Sequence, residues 1–289
     1  MRPLGNEKRQ ALHGYAFVAP WIAGFLALKA WPLAYSLWLS FRSVRVTPRG
    51  IRTTLAGLAN YTAAFLQDTQ FTGNVVTFLR NLVLSVPVIL VFSLIIAMLI
   101  NWPMRLKTLF RTIFFLPVII TSGPVISELV SQGAATVPTI ERYGIYQVIE
   151  ANLPPAIAAP VTYLFSQIIL ILWFSGVQIL LFLAGLQKMN RSMYEAARID
   201  GATAWEMFWK VTLPELRPIV LVNAVYTIVT LATFSGNEVM VQVQDAAFRP
   251  GQGFGYASAL AWVHFVLVAL CLGLAVLIVG TGDRRRRRA

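Results

Sequence analysis

Six mainly apolar stretches, at about 15–40, 76–101, 110–130, 158–186, 218–238 and 255–280, limit what this chain can fold into. Each is long enough to cross the roughly 30 Å hydrocarbon core of a bilayer as a helix. With 57% of 289 residues apolar and 12% charged, no water-soluble fold of this size could bury that much apolar surface. Inside lipid every backbone polar group needs an internal partner, which a helix supplies. The third stretch is the most interrupted, by Pro117, Gly123 and Pro124, with Glu128 near its end. Such breaks are tolerated where neighbouring helices satisfy the freed groups, so the pattern points to a packed bundle. The expected fold class is therefore an all-α integral membrane protein. One spanning domain covers 15–282, with a short segment, 1–14, before it and a basic tail, 283–289, after it. The first stretch reads as a retained helix, because its apolar run is too long for a signal peptide and no small-residue cleavage site follows.

Lys and Arg placement gives the orientation. With both ends cytoplasmic, the inner segments hold sixteen of the 24 basic residues. These are Arg2, Lys8 and Arg9; Arg105, Lys107 and Arg111; Lys188, Arg191, Arg198, Lys210 and Arg217; and Arg284 to Arg288. The outer segments hold six: Arg42, Arg45, Arg49, Arg52, Arg142 and Arg249. Lys29 and Arg80 lie within or at the edge of spans. The main outer segments are 42–75 and 131–157, where Gly133, Gly144, Pro154 and Pro155 mark irregular stretches. The net charge of +12 does not imply nucleic-acid binding. The arginine tail follows a span directly and has no interleaved aromatics, so anionic lipid headgroups account for it. Cys271 is the only cysteine and can form no internal disulfide. His13 and His264 are far apart with no carboxylate at ligand spacing, so no metal site is expected.

A polar insertion stands between the fourth and fifth stretches. Its central part, Glu195 to Pro214, reads EAARIDGATAWEMFWKVTLP. Asn190 or Ser192 can cap a short helix from Met193 to Asp200. Ala196 and Ala197 give that helix a small-residue face, and Gly201 can absorb a bend. A second amphipathic piece runs from about Ala202 to Val211, with Trp205, Phe208 and Trp209 at helical spacing. Pro214 and Pro218 mark the approach to the next span. On these residues alone, the loop either lies on the headgroups or serves as a docking surface for a soluble partner. Charge bias places it, at about 188–217, in the cytoplasm.

The chain carries no G-x-x-x-x-G-K-[ST] phosphate loop, no G-x-S-x-G elbow and no H-E-x-x-H pair. Charged residues within the spans are few: Lys29, Glu128 and, at an outer end, Glu238. Coupled carriers keep a carboxylate relay near the midplane, and none is evident. A self-contained secondary transporter or channel for a small polar solute is the rival reading. An intramembrane enzyme is opposed by the lack of a paired nucleophile and base.

Glu195-Ala196-Ala197, three residues, Gly201, nine residues and Val211-x-Leu213-Pro214 resemble the E-A-A-x3-G-x9-I-x-L-P signature of ABC importer permeases, with Val for Ile. The flanks FVAPWIAGF, WPLAYSLWLSF, GLANYTAAF, LKTLFRTIFFLPVIIT and GYASALAW are similar to the maltose-type carbohydrate permeases. The resemblance implies a six-helix type I importer permease fold. It also implies a second permease subunit in a heterodimer, two ATPase subunits that bind ATP and Mg, an extracytoplasmic solute-binding protein and a carbohydrate substrate. No cofactor is then expected in this chain, and no catalysis. Carried over by residue, Glu195 is a polar contact to the ATPase, Ala196 and Ala197 its close-packed face and Gly201 the bend. Asp200, Gly201 and Ala202 form the D-G-A of the sugar branch, and Leu213 with Pro214 close the signature. The chain departs from many sugar permeases in FSGNEVMVQVQDAAFRPGQGFGY, where they carry a G-G-P turn, and in ISELVSQGAATVPTIERYGIYQVIE, where they often carry a Trp. Oligosaccharide is the first expectation, with polyols and glycerol-phosphate-like solutes behind it.

Polar and aromatic residues recur at helical spacing in the later spans. Asn223, Thr227, Thr230 and Asn237 share a face with Phe234; Gln167, Phe174 and Gln178 share another, with Trp173 beside them. Ser258 and Trp262 lie one turn apart, near Tyr256 and His264. A sugar pathway needs hydroxyl partners and flat aromatic faces, so Gln167, Trp173, Gln178, Thr230, Asn237, Glu238, Tyr256 and Trp262 are the candidates. The same residue types also join membrane helices and form interfacial belts, and each candidate stays open to that reading.

Overall fold

The computed structural model describes residues 6–47, 50–102, 112, 145–249 and 252–286. Apart from Thr112, the third expected span and the outer stretch 131–144 lie outside these residues. So do Arg105, Lys107, Arg111 and the last residues of the basic tail. The remaining spans are helical. Helix α1 (Asn6–Phe25) passes through a π-turn at Leu26–Ala30 into α2 (Trp31–Ser40). After a hairpin come α3 (Ala59–Leu66) and the long α4 (Thr69–Asn101). Then follow α5 (Ile145–Asn152), α6 (Pro155–Ser166), α7 (Ile168–Phe174) and α8 (Gly176–Lys188). The helical runs His13–Ser40, Thr69–Asn101, Arg217–Phe248 and Gly253–Gly280 are each long and apolar enough to cross a membrane.

The expected span at 158–186 is present as a kinked run, α6 to α8, with joints at Gln167 and Ser175. The backbone ladder continues across both: Ile171 N–H donates to the Gln167 carbonyl (2.8 Å) and Ile179 N–H to that of Ser175 (2.9 Å). At the second joint the buried Ser175 hydroxyl donates back to the Ile171 carbonyl (2.5 Å). Such back-bonding competes with the ladder and bends a helix.

An all-α fold does not anticipate the hairpin formed by β1 (Arg42–Thr47) and β2 (Gly50–Leu55), in which Arg42 pairs with Leu55 and Thr47 with Gly50. Its strands, RSVRVT and GIRTTL, are rich in β-branched residues, which suit a pleated strand.

Spatial proximity divides the chain into two compact units, 1–72 with 242–264 and 73–241 with 265–289. In the first, the Asn60 side-chain amide donates to the carbonyls of Ser40 (2.8 Å) and Arg42 (3.0 Å), and the Ser40 and Tyr61 hydroxyls are 2.8 Å apart. These bonds tie the hairpin's base to α3. Gly253 and Gly255 lie so close to the carbonyls of Val44 and Arg42 that a Cβ at either position would collide. Asp68 closes the first turn of α4 by accepting from Phe71 N–H (2.9 Å). Its other oxygen accepts from Gln242 Nε2 (3.0 Å) and the Tyr256 hydroxyl (2.8 Å).

The second unit packs Leu94, Ala97 and Ile100 of α4 against Ile179, Phe182, Leu183 and Leu186 of α8, with Leu216. In lipid such a core is held by close approach, hydrogen bonds and dispersion, because the tails are as apolar as the side chains. Gly185 supplies the close approach: a Cβ there would stand 3.0 Å from side-chain carbons of both Leu216 and Ile219. Helix α8 is joined to residues Arg217–Thr233 by a buried chain of hydrogen bonds. Gln178 Nε2 donates to Thr227 Oγ1 (2.9 Å), Thr227 Oγ1 to the Asn223 carbonyl (2.7 Å), and Asn223 Nδ2 to the Gln178 carbonyl (3.4 Å).

Candidate functional site

The loop after α8 is a folded unit whose every turn has a local cause. Asn190 caps α9 (Arg191–Ile199), its side chain accepting from Ser192 N–H at 3.0 Å. The helix ends in a Schellman motif: Gly201 N–H donates to the Arg198 carbonyl (3.0 Å) and Ala202 N–H to that of Ala197 (2.9 Å). Gly201 has φ +79°, in the left-handed region, and a Cβ there would meet nothing. Backbone strain, not lack of space, is what requires glycine at this bend.

Thr203 opens α10 (Ala204–Met207) with a capping box. Glu206 N–H donates to Thr203 Oγ1 (3.3 Å), and Thr203 N–H donates to Glu206 Oε2 (3.0 Å). Lys210 Nζ lies 3.1 Å from Glu206 Oε1. The Thr203 backbone N–H, followed by Lys210, holds the Glu206 carboxyl down to about 2 from its usual 4.5. A π-turn, Phe208–Thr212, then leads to α11 (Leu213–Glu215), where Leu213 N–H reaches back to the Phe208 carbonyl. Pro214 lacks an N–H and its ring crowds the carbonyl four residues earlier, so the widened turn relieves the clash. The π-turn ahead of Pro32 has the same form, with Trp31 N–H donating to Leu26.

The two limbs are clasped. The Tyr194 hydroxyl on α9 is 2.9 Å from Thr212 Oγ1 on the second limb. Phe208, Leu213 and Met189 pack on the α4/α8 core. Facing away are Glu195, Ala196, Asp200 and Gly201, all exposed, and Ile199, 86% exposed. Ala197, Ala202, Leu213 and Pro214 are half-buried. Trp205 is 70% exposed and meets Trp209 edge to face at 5.5 Å. The helical piece expected at 202–211 is present as a continuous run over 204–215 with a π-turn at Phe208–Thr212, and the capping box and clasp are additions. The box was readable as T-x-x-E in Thr203 to Glu206; the Tyr194–Thr212 contact had no sequence signal.

The second unit also encloses a cavity of about 300 Å³. Helix α4 contributes Thr77, Phe78, Asn81 and Ser85, and the α6/α7 joint contributes Tyr163, Ser166, Gln167 and Phe174. Helix α12 (Arg217–Thr233) and the turn after it supply Leu231, Phe234, Asn237 and Glu238. Phe174 and Phe234 meet edge to face at 5.3 Å.

Of the eight sequence candidates, Gln167, Asn237 and Glu238 line this cavity. Asn237 also pins the turn after α12. Its amide donates to the carbonyls of Leu231 (3.3 Å) and Ala232 (3.5 Å), and its oxygen accepts from Val239 N–H (2.9 Å). It thereby joins α12 to α13 (Glu238–Phe248). Gln178 lies in the helix seam described above, and Trp173 and Thr230 are half-buried off the cavity. Tyr256 and Trp262, on α14 (Gly253–Arg286), belong to the first unit. There Tyr256 donates to Asp68, and Trp262 Nε1 donates to Ser36 Oγ (3.1 Å). The α4 contribution was missed, although Thr77, Asn81 and Ser85 follow i, i+4, i+8 within the second span.

Helical spans around a cavity with amide, hydroxyl and aromatic lining, and a clasped loop packed on the bundle, fit a subunit of a membrane transport system. Residues 154–288 match the family described as binding-protein-dependent transport system inner membrane component. The chain is 31% identical to the probable ABC transporter permease protein YesP of Bacillus subtilis, covering 93% of this chain and 91% of that one. It is 29% identical to the lactose transport system permease protein LacF of Rhizobium radiobacter, covering 90% and 91%. Its fold is similar to a chain in the crystal structure of a bacterial alginate ABC transporter in complex with an alginate pentasaccharide-bound periplasmic protein. That likeness has a TM-score of 0.66 at 18% identity, over 94% of this chain and 95% of that one. The chain belongs to the binding-protein-dependent inner membrane components: it is an ABC transporter permease with the type I importer fold.

Proposed function

We propose that this permease forms half of the translocation pathway for a sugar or oligosaccharide and that the loop at 195–214 couples it to a cytoplasmic ATPase. A second permease subunit completes a heterodimer. Two ATPase subunits bind ATP and Mg and carry out the hydrolysis, while an extracytoplasmic solute-binding protein delivers the solute. Both termini are cytoplasmic in this reading, which the Lys and Arg bias favours. No cofactor or metal is needed in this chain, and no nucleic acid.

The observation that carries this reading is the clasped loop. An α9 face of Glu195, Ala196, Ile199 and Asp200 is exposed, while the opposite limb is anchored on the α4/α8 core. Small side chains allow close approach, and Glu195 offers a polar contact. Relatives named for lactose and trehalose transport, and a cavity with both aromatic and amide lining, support a carbohydrate as the solute.

The coupling role is tested in the assembled transporter with Glu195→Lys and Gly201→Asp. Both variants are expected to keep normal membrane abundance and to lose at least about tenfold in transport per ATP hydrolysed, the effect of roughly 1.4 kcal/mol of lost coupling. Unchanged transport in both variants would remove the role.

A further inference from the structure

We infer that Trp102, Trp205 and Trp209 form an aromatic contact with the phospholipid headgroup layer. The loop then presents its second limb to the bilayer and α9 to the soluble partner. The bilayer contact rests only on the chain being a membrane permease, whereas the role of α9 is the coupling reading given above.

The two limbs differ in surface chemistry. On α9 the outward residues Glu195, Ala196 and Asp200 are small or charged, with Ile199 among them. On the second limb Trp205 and Trp209 stand one turn apart, meet edge to face at 5.5 Å, and are 70% and 49% exposed. Lys210 beside them is held by Glu206. Two touching indoles make a large apolar area to leave in water. An indole ring suits the boundary between acyl chains and headgroups, because its N–H can donate to a phosphate or ester oxygen while the ring stays out of water.

The position of the three rings points the same way. Phe208, between Trp205 and Trp209 in sequence, packs on the cluster that holds Leu94, Ala97 and Ile100, in the last turns of the α4 span. Trp102 lies one residue beyond that span and is 69% exposed. Three of the chain's eight tryptophans thus stand at the loop end of the second unit. Arg105 and Lys107 follow Trp102 in sequence, and Lys210 and Arg217 follow Trp209. Indoles with basic residues at the ends of spans are the side chains that headgroups hold. A groove on a soluble protein would account for Trp205 and Trp209 but not for Trp102 at the end of α4. The headgroup layer accounts for all three.

Trp102→Cys, Trp205→Cys and Ile199→Cys, each in a Cys271→Ser background, are labelled with monobromobimane. They are measured with and without the ATPase subunits, all partners being cysteine-free, in nanodiscs of phosphatidylcholine with phosphatidylglycerol. The quencher is a nitroxide on the phospholipid headgroup. Quenching at 102 and 205 is expected to exceed that at 199 by about twofold or more, and to persist with the ATPase subunits bound. No lipid quenching at 205, or quenching there that disappears when the ATPase subunits bind, would overturn the contact and give that face to a protein. Strong and equal quenching at all three positions supports the bilayer contact and counts against the coupling reading of α9 instead. The unsubstituted transporter gives a second measurement, with a phospholipid that carries a diazirine on its headgroup. Adducts are expected at Trp205 or Trp209 in the tryptic peptide that follows Arg198 and ends at Lys210. Adducts on the spans with none on that peptide would also overturn the contact.

Discussion

Glu206 shows how a single residue sets the shape of the loop. Its carboxylate accepts from Thr203 N–H and from Lys210, and these partners favour the charged form. The folded pKa is therefore depressed, so the cap's contribution is complete above the usual value near 4.5. It fades as the pH falls toward the folded value of about 2. A carboxyl-carbon titration by NMR is expected to show a midpoint near 2 for Glu206, rising only in part in Thr203→Ala, which removes the hydroxyl and leaves the backbone N–H and Lys210 in place. A native midpoint at the ordinary glutamate value would mean that the box does not form. Because Glu206 is half-exposed, added salt should weaken the Lys210 part of the effect before the backbone part. Residue-scale features of this kind were partly legible. Gly201 after Asp200 announced a bend, and the left-handed φ explains it. Asn81 was not legible: its Oδ1 is buried with no hydrogen-bond partner among the described residues, which only three-dimensional packing discloses.

At the scale of elements, the same residue types serve two ends that sequence spacing does not separate. Gln178 and Thr227 lie on the polar stripes that read as a pathway, yet both are buried in the seam between α8 and α12. Asn237 and Gln167, from the same stripes, line the cavity. Breaks at Gln167 and Ser175 separate Gln167 from Gln178, so the two do not share one straight-helix face. Helical periodicity assumes a straight helix and cannot show such breaks. The seam reading gives a number: a Gln178→Leu, Thr227→Val double-mutant cycle should show a coupling of about 0.6 kcal/mol, the usual size for membrane helix bonds. Steric-trap unfolding in bicelles measures it, and zero coupling would return Gln178 to the pathway. The hairpin at 42–55 was also unforeseen, because hydropathy identifies spans and says little about segments outside them. The π-turns ahead of Pro32 and Pro214 show how proline is accommodated within helical runs by widening one turn.

For the whole molecule, the proposed division of labour accords with what the chain contains. It carries the apolar spans, a cavity and a loop anchored to the bundle core, but no phosphate-binding loop. The class of fold was legible because six apolar stretches and the E-A-A to L-P spacing are properties of the sequence itself. The cavity's lining was legible in part, as Gln167, Asn237 and Glu238; the rest was not, because it draws on separate helices that only the tertiary packing brings together. The central claim is that the energy for movement enters through the loop at 195–214 from a separate subunit. The most direct measurement is solute uptake into proteoliposomes. One set holds this chain alone; the other adds its partner permease, the ATPase subunits and the loaded solute-binding protein. Uptake is expected only in the complete set, only with ATP and Mg, and no hydrolysis from this chain alone. Robust uptake by the chain alone, with or without ATP, would contradict the claim.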